Sequence, residues 1–403
     1  MISKFASKIG ANAGRSRSHN RQVVLGAIHQ AGKIGRAEIA RNSGLSTQAV
    51  SNIIAQLEQE GMLIEQGRLS TGRGLPSVQY ALNSDGGFAF GIEMRPDVIF
   101  AALLNLKGAT VFSKRANLID TKPERVIDQV LTLRDEALAA TGVAPERVMG
   151  AGIVMPGPFG SNGLSDKGTE LPDWQHLDAS SLFEKALDLP VFVEIDANAA
   201  ALGERILGAA KGLETYCFLY FGAGLGLGIV TGGRLFNGAF GNAGEIGHIL
   251  VPAVDSDASI PSSKASSGSV ELEKMVSRLS AQRYLGSAGY EVHSGEDLSA
   301  LYAQDTPALM TWLDRASAPL SHAIATIENL FDPQAIILGG AMPDALLDHL
   351  ITHIRLSDRS VANRTGRQHP RLLRGSSGRM TATLGAAALV INHALTPQIT
   401  VPR

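Results

Sequence analysis

The feature that most restricts the fold is a helix, a glycine turn and a second helix near the N-terminus. A short helix around Ile39 and Ala40 is expected to end between Asn42 and Gly44. Ser46 can cap the next helix, because its hydroxyl can accept a hydrogen bond from an otherwise unpaired backbone N–H. This order of elements predicts a helix-turn-helix.

The second helix has two different faces. Its apolar stripe, which is expected to face the core, consists of Val50, Ile53, Ile54 and Leu57. Small polar side chains occupy the opposite face and allow a close approach to a major groove, where Gln and Asn can pair with base edges. The residues predicted to contact DNA from this region are Arg36, Ser46, Thr47, Gln48, Ser51 and Asn52.

A basic loop follows the second helix. The segments MLIEQ and SVQYAL are predicted to form two strands on either side of GRLSTGRGLP, which would make a wing. Arg68 and Arg73 in this loop could reach phosphates or a minor groove. The alternative is a small helical interaction module with no role in DNA binding. We expect residues 1–82 to form a winged helix-turn-helix DNA-binding domain.

The charge distribution supports a polyanionic partner for this region. The whole chain has a formal net charge of −2. Residues 1–80 hold ten basic and four acidic residues, a net charge of +6, which leaves −8 for the remainder. A basic N-terminal region on an acidic body is typical of proteins that meet nucleic acid. A solvated basic surface is the alternative that charge alone leaves open.

The remaining residues alternate between predicted strands and helices. A helix is expected from about Pro123 to Thr141, and another is expected to begin directly after the strand VFVEI, with DANAAALGERILG. Further strands are expected in GFAFGIEM, VIFAALLNL, ATVFSKRANL and VMGAGIVMP. Alternating strands and helices predict an α/β fold class for this body.

Residues 221–249 are unusually rich in glycine. Ten glycines lie between positions 222 and 247. Glycine at this density allows tight reversals and keeps the backbone accessible. The segment suits a hairpin that approaches a phosphate or a sugar closely, although an ordinary β-hairpin is the alternative.

These motifs together resemble the ROK family, which groups repressors, open reading frames and sugar kinases. The resemblance rests on GAGLGLGI, GRLFNGAFGNAGEIGH, DANAAALGE at 196–204, LPDW at 171–174 and IILGGAM at 336–342. It implies that LPDW belongs to a loop that frames the sugar pocket. It also implies an actin-like, ribonuclease-H-like body of two lobes around a cleft, often assembled as a homodimer or homotetramer. One lobe is then expected at 86–196, completed by a C-terminal helix at about 383–400, and the other at 197–382.

The resemblance also implies a ligand site. Asp196 matches the position of the family's catalytic aspartate, and Glu245 and His248 match residues that hold sugar hydroxyls. Glu271 matches a further sugar-binding glutamate. Ile195 replaces a usual Asn, so the ligand is expected to be a sugar, a sugar alcohol or a derivative. Asn198 could line the cleft or face solvent.

The phosphate-binding motif of the family's kinases departs from its usual pattern here. Those kinases carry Asp-x-Gly-Gly-Thr after the first strand, whereas this chain has Glu93, Arg95, Pro96 and Asp97 at the corresponding positions. Pro96 removes an N–H donor and Asp97 adds a charge that repels phosphate. Ala223 replaces a Thr in the second phosphate loop. We therefore expect no ATP binding and only a vestigial catalytic position at Asp196.

The family's zinc site is also altered. Ser262, Lys264 and Ser269 fall where the family has cysteines. Structural zinc sites need thiolates or imidazoles, so no metal is expected at His248. The polar segment 255–269 is expected to be mobile and could order over a bound ligand.

These observations favour a ligand-responsive DNA-binding regulator, most simply a repressor of carbohydrate genes, with operator DNA and a sugar-like effector as partners. One alternative is an active sugar kinase with a fused DNA-binding domain, and another is a regulator that binds a partner protein.

The composition, with 44% hydrophobic and 18% charged residues, suits a soluble globular protein. No apolar run of about 18 residues occurs, and Cys217 is the only cysteine, which favours a cytoplasmic protein without disulfides or cofactors.

Overall fold

The structure is a computed structural model that describes residues 13–69, 76–157, 171–174, 176–252, 269–376 and 378–397. Internal contacts divide the chain into two compact units. One lies within Met1–Phe88, Asn105–Lys107 and Ile391–Arg403, and the other within Ala89–Leu104 and Gly108–Val390. The domain boundaries expected at residues 82 and 196 remain predictions. None of the described helices is long and apolar enough to cross a membrane.

The N-terminal unit contains a winged helix-turn-helix. Its elements are α1 (Ala13–Ala31), β1 (Ile34–Gly35), α2 (Arg36–Ser43), α3 (Thr47–Gln59), β2 (Leu63–Leu69) and β3 (Ser77–Leu82). The three strands form one sheet in the order β1-β3-β2, with antiparallel pairing throughout. The sequence predicted α2, α3 and both wing strands, whereas the two-residue β1 is too short to leave a pattern.

Local chemistry explains the boundaries of the two central helices. Gly44 ends α2 in the left-handed conformation, with a φ of 70°. Ser46 then caps α3, since its hydroxyl oxygen accepts a hydrogen bond from the Ala49 N–H at 3.2 Å. The predicted apolar stripe of α3 is buried at Val50, Ile54 and Leu57. The fourth member of the stripe, Ile53, is only half-buried.

The second unit is an α/β body with two five-stranded sheets. Its first half comprises β4 (Phe88–Met94), β5 (Val98–Asn105), β6 (Thr110–Asn117), α4 (Pro123–Thr141), β7 (Val148–Met155), α5 (Ala179–Leu187), β8 (Val191–Ile195) and α6 (Asp196–Leu207). The strands form a sheet in the order β6-β5-β4-β7-β8, in which β7 and β8 are parallel. The strands and helices expected in this region are confirmed.

The second sheet has the order β11-β10-β9-β14-β15. Its strands are β9 (Tyr216–Phe221), β10 (Leu225–Thr231), β11 (Arg234–Leu235), β14 (Ile336–Gly340) and β15 (Leu372–Arg374). A separate small pair is formed by β12 (Leu250–Pro252) and β13 (Ser269–Glu271). The remaining helices are α7 (Glu273–Val276), α8 (Arg278–Ser287), α9 (Gly295–Ala303), α10 (Pro307–Phe331), α11 (Asp344–His353) and α12 (Thr381–Leu395), of which α12 belongs to the second unit only as far as Val390.

Glycines allow α12 to pack closely against the first sheet and against α6. A Cβ atom at Gly152 of β7 would lie 1.8 Å from the Ala386 carbonyl oxygen. A Cβ atom at Gly385 would lie 2.1 Å from the Ala199 carbonyl oxygen of α6. Since neither backbone can move away from such a contact, these positions require glycine. The close packing fixes α6, whose first residue is Asp196.

Candidate functional site

The second unit contains a cleft of about 980 Å³. The end of β4, the junction of β8 with α6, and the turn between β9 and β10 all contribute to its wall. Segment 244–248 and the start of α8 complete it. The side chains that matter most for its chemistry are Glu93, Arg95, Asp196, Tyr220, Glu245, His248, Glu273, Lys274 and Arg278.

Asp196 lies half-buried in this cleft at the first position of α6, rather than in the helix-capping position itself. One of its carboxylate oxygens accepts a hydrogen bond from the Ala197 N–H at 2.8 Å. Burial raises the pKa of Asp196 to about 7, and the negative charges of Glu93 and Glu245 raise it as well. The hydrogen bond from the Ala197 N–H and the positive charge of Arg95 act in the opposite direction. At neutral pH this carboxyl can therefore accept or donate a hydrogen bond.

Asp196 is expected to make the free energy of unfolding depend on pH. Its folded-state pKa of about 7 is above the reference value of 3.8, so protonation favours the folded state. The free energy of unfolding should fall as the pH rises from about 4 to about 7, by at most about 1.4 kcal/mol per pH unit. Urea titrations of the wild-type protein and an Asp196→Asn variant across this range should show a steeper fall in the wild type, while the raised pKa of Glu245 contributes equally to both. Parallel curves for the two proteins would contradict the assignment.

Glu245 is placed in the cleft by a glycine that no other residue could replace. Gly244 has a φ of 101°, and a Cβ atom there would lie 1.9 Å from the Leu227 carbonyl oxygen. The Leu227 N–H in turn donates to the Gly244 carbonyl at 2.9 Å. Burial raises the pKa of Glu245, the charge of Glu273 raises it further, and His248 opposes both. Glu245 is thus held against β10 with its carboxylate facing the cleft.

His248 lies among three carboxylates. Its Nε2 atom is 3.8 Å from Glu245, and its Nδ1 atom is 3.7 Å from Glu271 and 3.8 Å from Glu273. The pairing of β12 with β13 sets Leu250 opposite Glu271, which brings these distant segments together. The structure thus brings His248, Glu245 and Glu271 together, although Glu271 is not among the residues that line the cleft. Their role in ligand binding stays a prediction.

The donor atoms of His248, Glu271 and Glu273 lie within 4.8 Å of one another and could hold a cation. Lys274 competes for this role, because its ammonium lies 2.6 Å from Glu271. One imidazole and two carboxylates also differ from the thiolate-rich set of the family's zinc site, and Ser269 stands at one of the cysteine positions. These residues therefore fit an ion-pair network better than a structural zinc site. Ser262, Lys264 and most of the segment 255–269 lie outside the described residues.

The segment that replaces the kinase phosphate motif is fixed by a buried acid. Glu93 is only 3% exposed, and it accepts hydrogen bonds from Arg95 Nε at 2.7 Å and from the Thr383 hydroxyl at 2.6 Å. The Arg95 guanidinium also lies 5.0 Å from the centre of the Phe100 ring. Arg95, together with Pro96 and Asp97, lines the cleft. A guanidinium thus occupies the region where the resemblance would place an open glycine turn.

Asn198 corrects one expectation from the sequence. It is fully buried and neither lines the cleft nor faces solvent. Its amide donates to Glu194 Oε1 at 2.9 Å, while the Asn237 amide donates to Glu194 Oε2 at 2.7 Å. The physical reason is the helical spacing, which turns the third residue of α6 back towards β8. These contacts tie the glycine-rich segment to the strand that precedes Asp196.

Several cleft residues were missed by the sequence reasoning. Glu273 lies two positions after Glu271, so its proximity could have been inferred from the motif that identified Glu271. Arg278, which lines the cleft, carries no local pattern, and neither do Glu194 and Asn237, which are hydrogen-bonded to each other outside the cleft lining. By contrast, LPDW was expected to frame the pocket, but Trp174 stacks on Phe183 at 5.5 Å and donates to the Thr121 carbonyl, away from the cleft lining.

The N-terminal unit presents the predicted polar surface on α3. Thr47, Gln48 and Asn52 are exposed and Ser51 is half-buried. The Gln48 amide donates to the Asn52 side-chain oxygen at 2.9 Å, so the two side chains lie side by side on one face. Ser46 is exposed but already serves as the helix cap.

The predicted basic contacts have different surroundings. The Arg36 guanidinium donates to the Tyr80 hydroxyl and lies 4.0 Å from Glu58, with 44% of its side chain exposed. Arg68 lies exposed on β2. Arg73 lies outside the described residues. Among the described residues, α3 therefore carries more of the exposed side chains that are predicted to contact DNA than any other element. Arg36 is partly occupied by its contacts with Tyr80 and Glu58.

Comparison with known proteins agrees with both halves of this description. Residues 89–393 match the ROK family, and residues 17–64 match a winged helix-turn-helix DNA-binding domain. The xylose repressor of Bacillus subtilis (strain 168) is 26% identical over 384 residues, which cover 93% of this chain and 96% of that protein. A glucokinase of Halalkalibacterium halodurans is 32% identical over 231 residues, covering 54% of this chain and 66% of that protein.

Solved structures give the same assignment. A ROK family transcriptional regulator described as a homologue of the E. coli MLC protein superposes with a TM-score of 0.73 at 24% identity, covering 94% of this chain and 98% of that chain. A ROK family glucokinase from Streptomyces griseus, in complex with glucose and AMPPNP, superposes with a TM-score of 0.57 at 26% identity and covers 75% of this chain and 99% of that chain. The chain therefore belongs to the ROK family and joins a winged helix-turn-helix DNA-binding domain to an actin-like, sugar-kinase-type α/β body.

Proposed function

We propose that this protein is a DNA-binding repressor of sugar metabolism whose affinity for operator DNA is set by a sugar-like ligand in the cleft. The observation that carries the proposal is that one chain combines an exposed polar recognition helix, α3, with a cleft lined by Asp196, Glu245 and His248. The xylose repressor of Bacillus subtilis, which aligns over nearly the full length of both chains, supports the same role. Operator DNA as a partner places the protein in the cytoplasm.

The chemistry of the cleft suits a polyhydroxylated ligand. Sugar hydroxyls both donate and accept, so they can pair with the Glu245 carboxylate, with the Asp196 carboxyl and with the imidazole nitrogens of His248. Ile195 lines the cleft with an aliphatic side chain at the position where the family resemblance implies an asparagine. The ligand we infer is a sugar, a sugar alcohol or a derivative.

Regulation needs a difference in ligand affinity between two states of the protein. A ligand that binds both states equally shifts nothing, so the effector must bind the DNA-binding state and the other state with different affinities. A homodimer or homotetramer supplies at least two DNA-binding domains, and paired operator half-sites demand a fixed spacing between them.

Fluorescence anisotropy with the DNA upstream of the protein's own gene tests the proposed function. At least one compound of a sugar panel should change the affinity for this DNA about 10-fold. If the protein without any ligand does not bind the DNA at moderate salt, the proposed function is wrong.

An active sugar kinase is the second candidate. The pKa of about 7 at Asp196 favours it, because a general base works best near the operating pH. Arg95, Pro96 and Asp97 argue against it, because they line the cleft and the family resemblance aligns them with the phosphate-binding motif of the kinases. We propose that the protein is not an enzyme. A coupled assay for ADP release with the same sugar panel should give no turnover above background, and a turnover that Asp196→Asn abolishes would reverse this conclusion.

A further inference from the structure

Arg278 is a cation in the cleft that has no counterion among the residues that the structure describes. It is the first residue of α8, it is half-buried, and its side chain lines the cleft. Its Nε atom is buried without a hydrogen-bond partner. The ion pairs within the described ranges account for Arg95 and Lys274, which also line the cleft, but include none to Arg278.

Three effects make this position unfavourable for a positive charge. Burial lowers the pKa of Arg278, and the nearby charge of Arg95 lowers it further, with only Tyr220 opposing them. In addition, a cation at the first position of a ten-residue helix meets the positive end of the helix dipole. An arginine in such surroundings costs stability unless an anion binds beside it.

Three acids of the cleft are engaged with other residues or only partly charged. Glu93 is held by Arg95 and Thr383 through both of its oxygens. Glu273 lies 3.8 Å from the Nδ1 atom of His248. Asp196, with a pKa of about 7, carries only part of a negative charge at neutral pH. The protein itself therefore leaves the charge of Arg278 uncompensated in the part of the chain that is described.

We propose that the effector is an anionic sugar derivative whose phosphate or carboxylate group binds Arg278, with Arg95 beside it, while its hydroxyls bind Glu245 and His248. The ligand class rests on the proposed sugar-responsive function, whereas the anion site at Arg278 does not. A guanidinium binds both kinds of anion through parallel N–H donors, and such charge-assisted bonds are about twice as strong as neutral ones.

The anion site is tested first with inorganic phosphate as the probe, on the full chain. Phosphate at roughly 20 mM should raise the Tm of the wild-type protein by about 2 °C over sodium chloride of equal ionic strength. Arg278→Gln should lose this shift, Arg278→Lys should keep part of it, and Arg359→Gln, at an exposed arginine of the same unit, should keep it in full. Without phosphate, Arg278→Gln should melt no lower than the wild type, because it removes an unfavourable charge. An equal phosphate shift in Arg278→Gln and the wild type, no shift in the wild type, or a lower Tm of Arg278→Gln without phosphate would overturn the proposal.

The class of anion is tested by calorimetry with parent hexoses, their 6-phosphates and the corresponding hexuronates. The anionic compound that fits should bind the wild type about 10- to 100-fold more tightly than its parent hexose, and Arg278→Gln should remove this advantage. Glu245→Gln should weaken the hexose and its derivatives alike. A parent hexose that binds as tightly as its phosphate and its uronate would overturn the proposal. A sugar phosphate that binds through Arg278 without changing DNA affinity would instead contradict only the regulatory function.

Discussion

Replacing Gln48 by Glu and Asn52 by Asp together is expected to lower the affinity for operator DNA about 100-fold or more at moderate salt. Both side chains are exposed on α3 and hydrogen-bonded to each other at 2.9 Å, so the two new carboxylates would face the same groove. Each lost amide contact with a base costs about 1–3 kcal/mol, and two negative charges near the phosphates add repulsion. Fluorescence anisotropy measures the affinity of both proteins for the DNA upstream of the protein's own gene.

The matched control adds the same two charges to the second unit, at the exposed Gln304 and Asn363. Gln304→Glu with Asn363→Asp should leave DNA affinity within about twofold of the wild type, because neither side chain belongs to the winged helix-turn-helix. The α3 double variant should also bind sugar ligands as the wild type does. If the α3 variant and the control bind DNA equally well, α3 is not the recognition helix.

Replacing Glu328 by Ala is expected to lower the free energy of unfolding by about 3–5 kcal/mol. Glu328 on α10 is 1% exposed, and its two oxygens accept hydrogen bonds from Arg371 Nε at 2.7 Å and Nη2 at 2.6 Å. Arg371 immediately precedes β15 and also donates to the Ser357 carbonyl at 3.0 Å. Removal of the carboxylate leaves a largely buried guanidinium without its counterion, which is the costly way to break such a pair.

Glu136→Ala is the appropriate comparison, because the ion pair of Glu136 with Lys114 is about as close, at 2.7 Å, but more than two-fifths exposed on both sides. Loss of an exposed pair should change the free energy of unfolding by no more than about 1 kcal/mol. Urea titrations of both variants give the two values directly. Similar losses for Glu328→Ala and Glu136→Ala would show that burial does not govern the strength of the Glu328 pair.

The local elements of the fold could be predicted from the sequence. The helix expected at Pro123–Thr141 has those bounds in the structure, and Ser46 caps α3 as its hydroxyl suggested. Such signals lie within a few residues of one another, in periodicity, capping and turn residues. The family resemblance then placed Asp196, Glu245 and His248 in one cleft, which local patterns alone could not have done.

The remaining site features depend on contacts between distant residues. Thr383 meets Glu93 across 290 positions of the chain, and Asn237 meets Glu194 across 43. Neither pair has a spacing that predicts proximity. The role of Arg278 could not be predicted from the sequence either. Its distinguishing feature is a buried Nε atom with no hydrogen-bond partner among the described residues, and this is a property of the folded chain.

Control of the DNA-binding domain by the cleft is tested by the affinity of the full chain for the DNA upstream of the protein's own gene. This affinity is measured across a titration of sugars and sugar derivatives, in the wild type and in Glu245→Gln. Without ligand the two proteins should bind DNA equally, because Glu245 lies in the cleft of the second unit. With the effector, the wild-type affinity should change about 10-fold, and the variant should need about 10-fold more ligand for the same change. If no compound alters DNA affinity, or if Glu245→Gln responds at the same ligand concentrations as the wild type, the cleft is not the regulatory site.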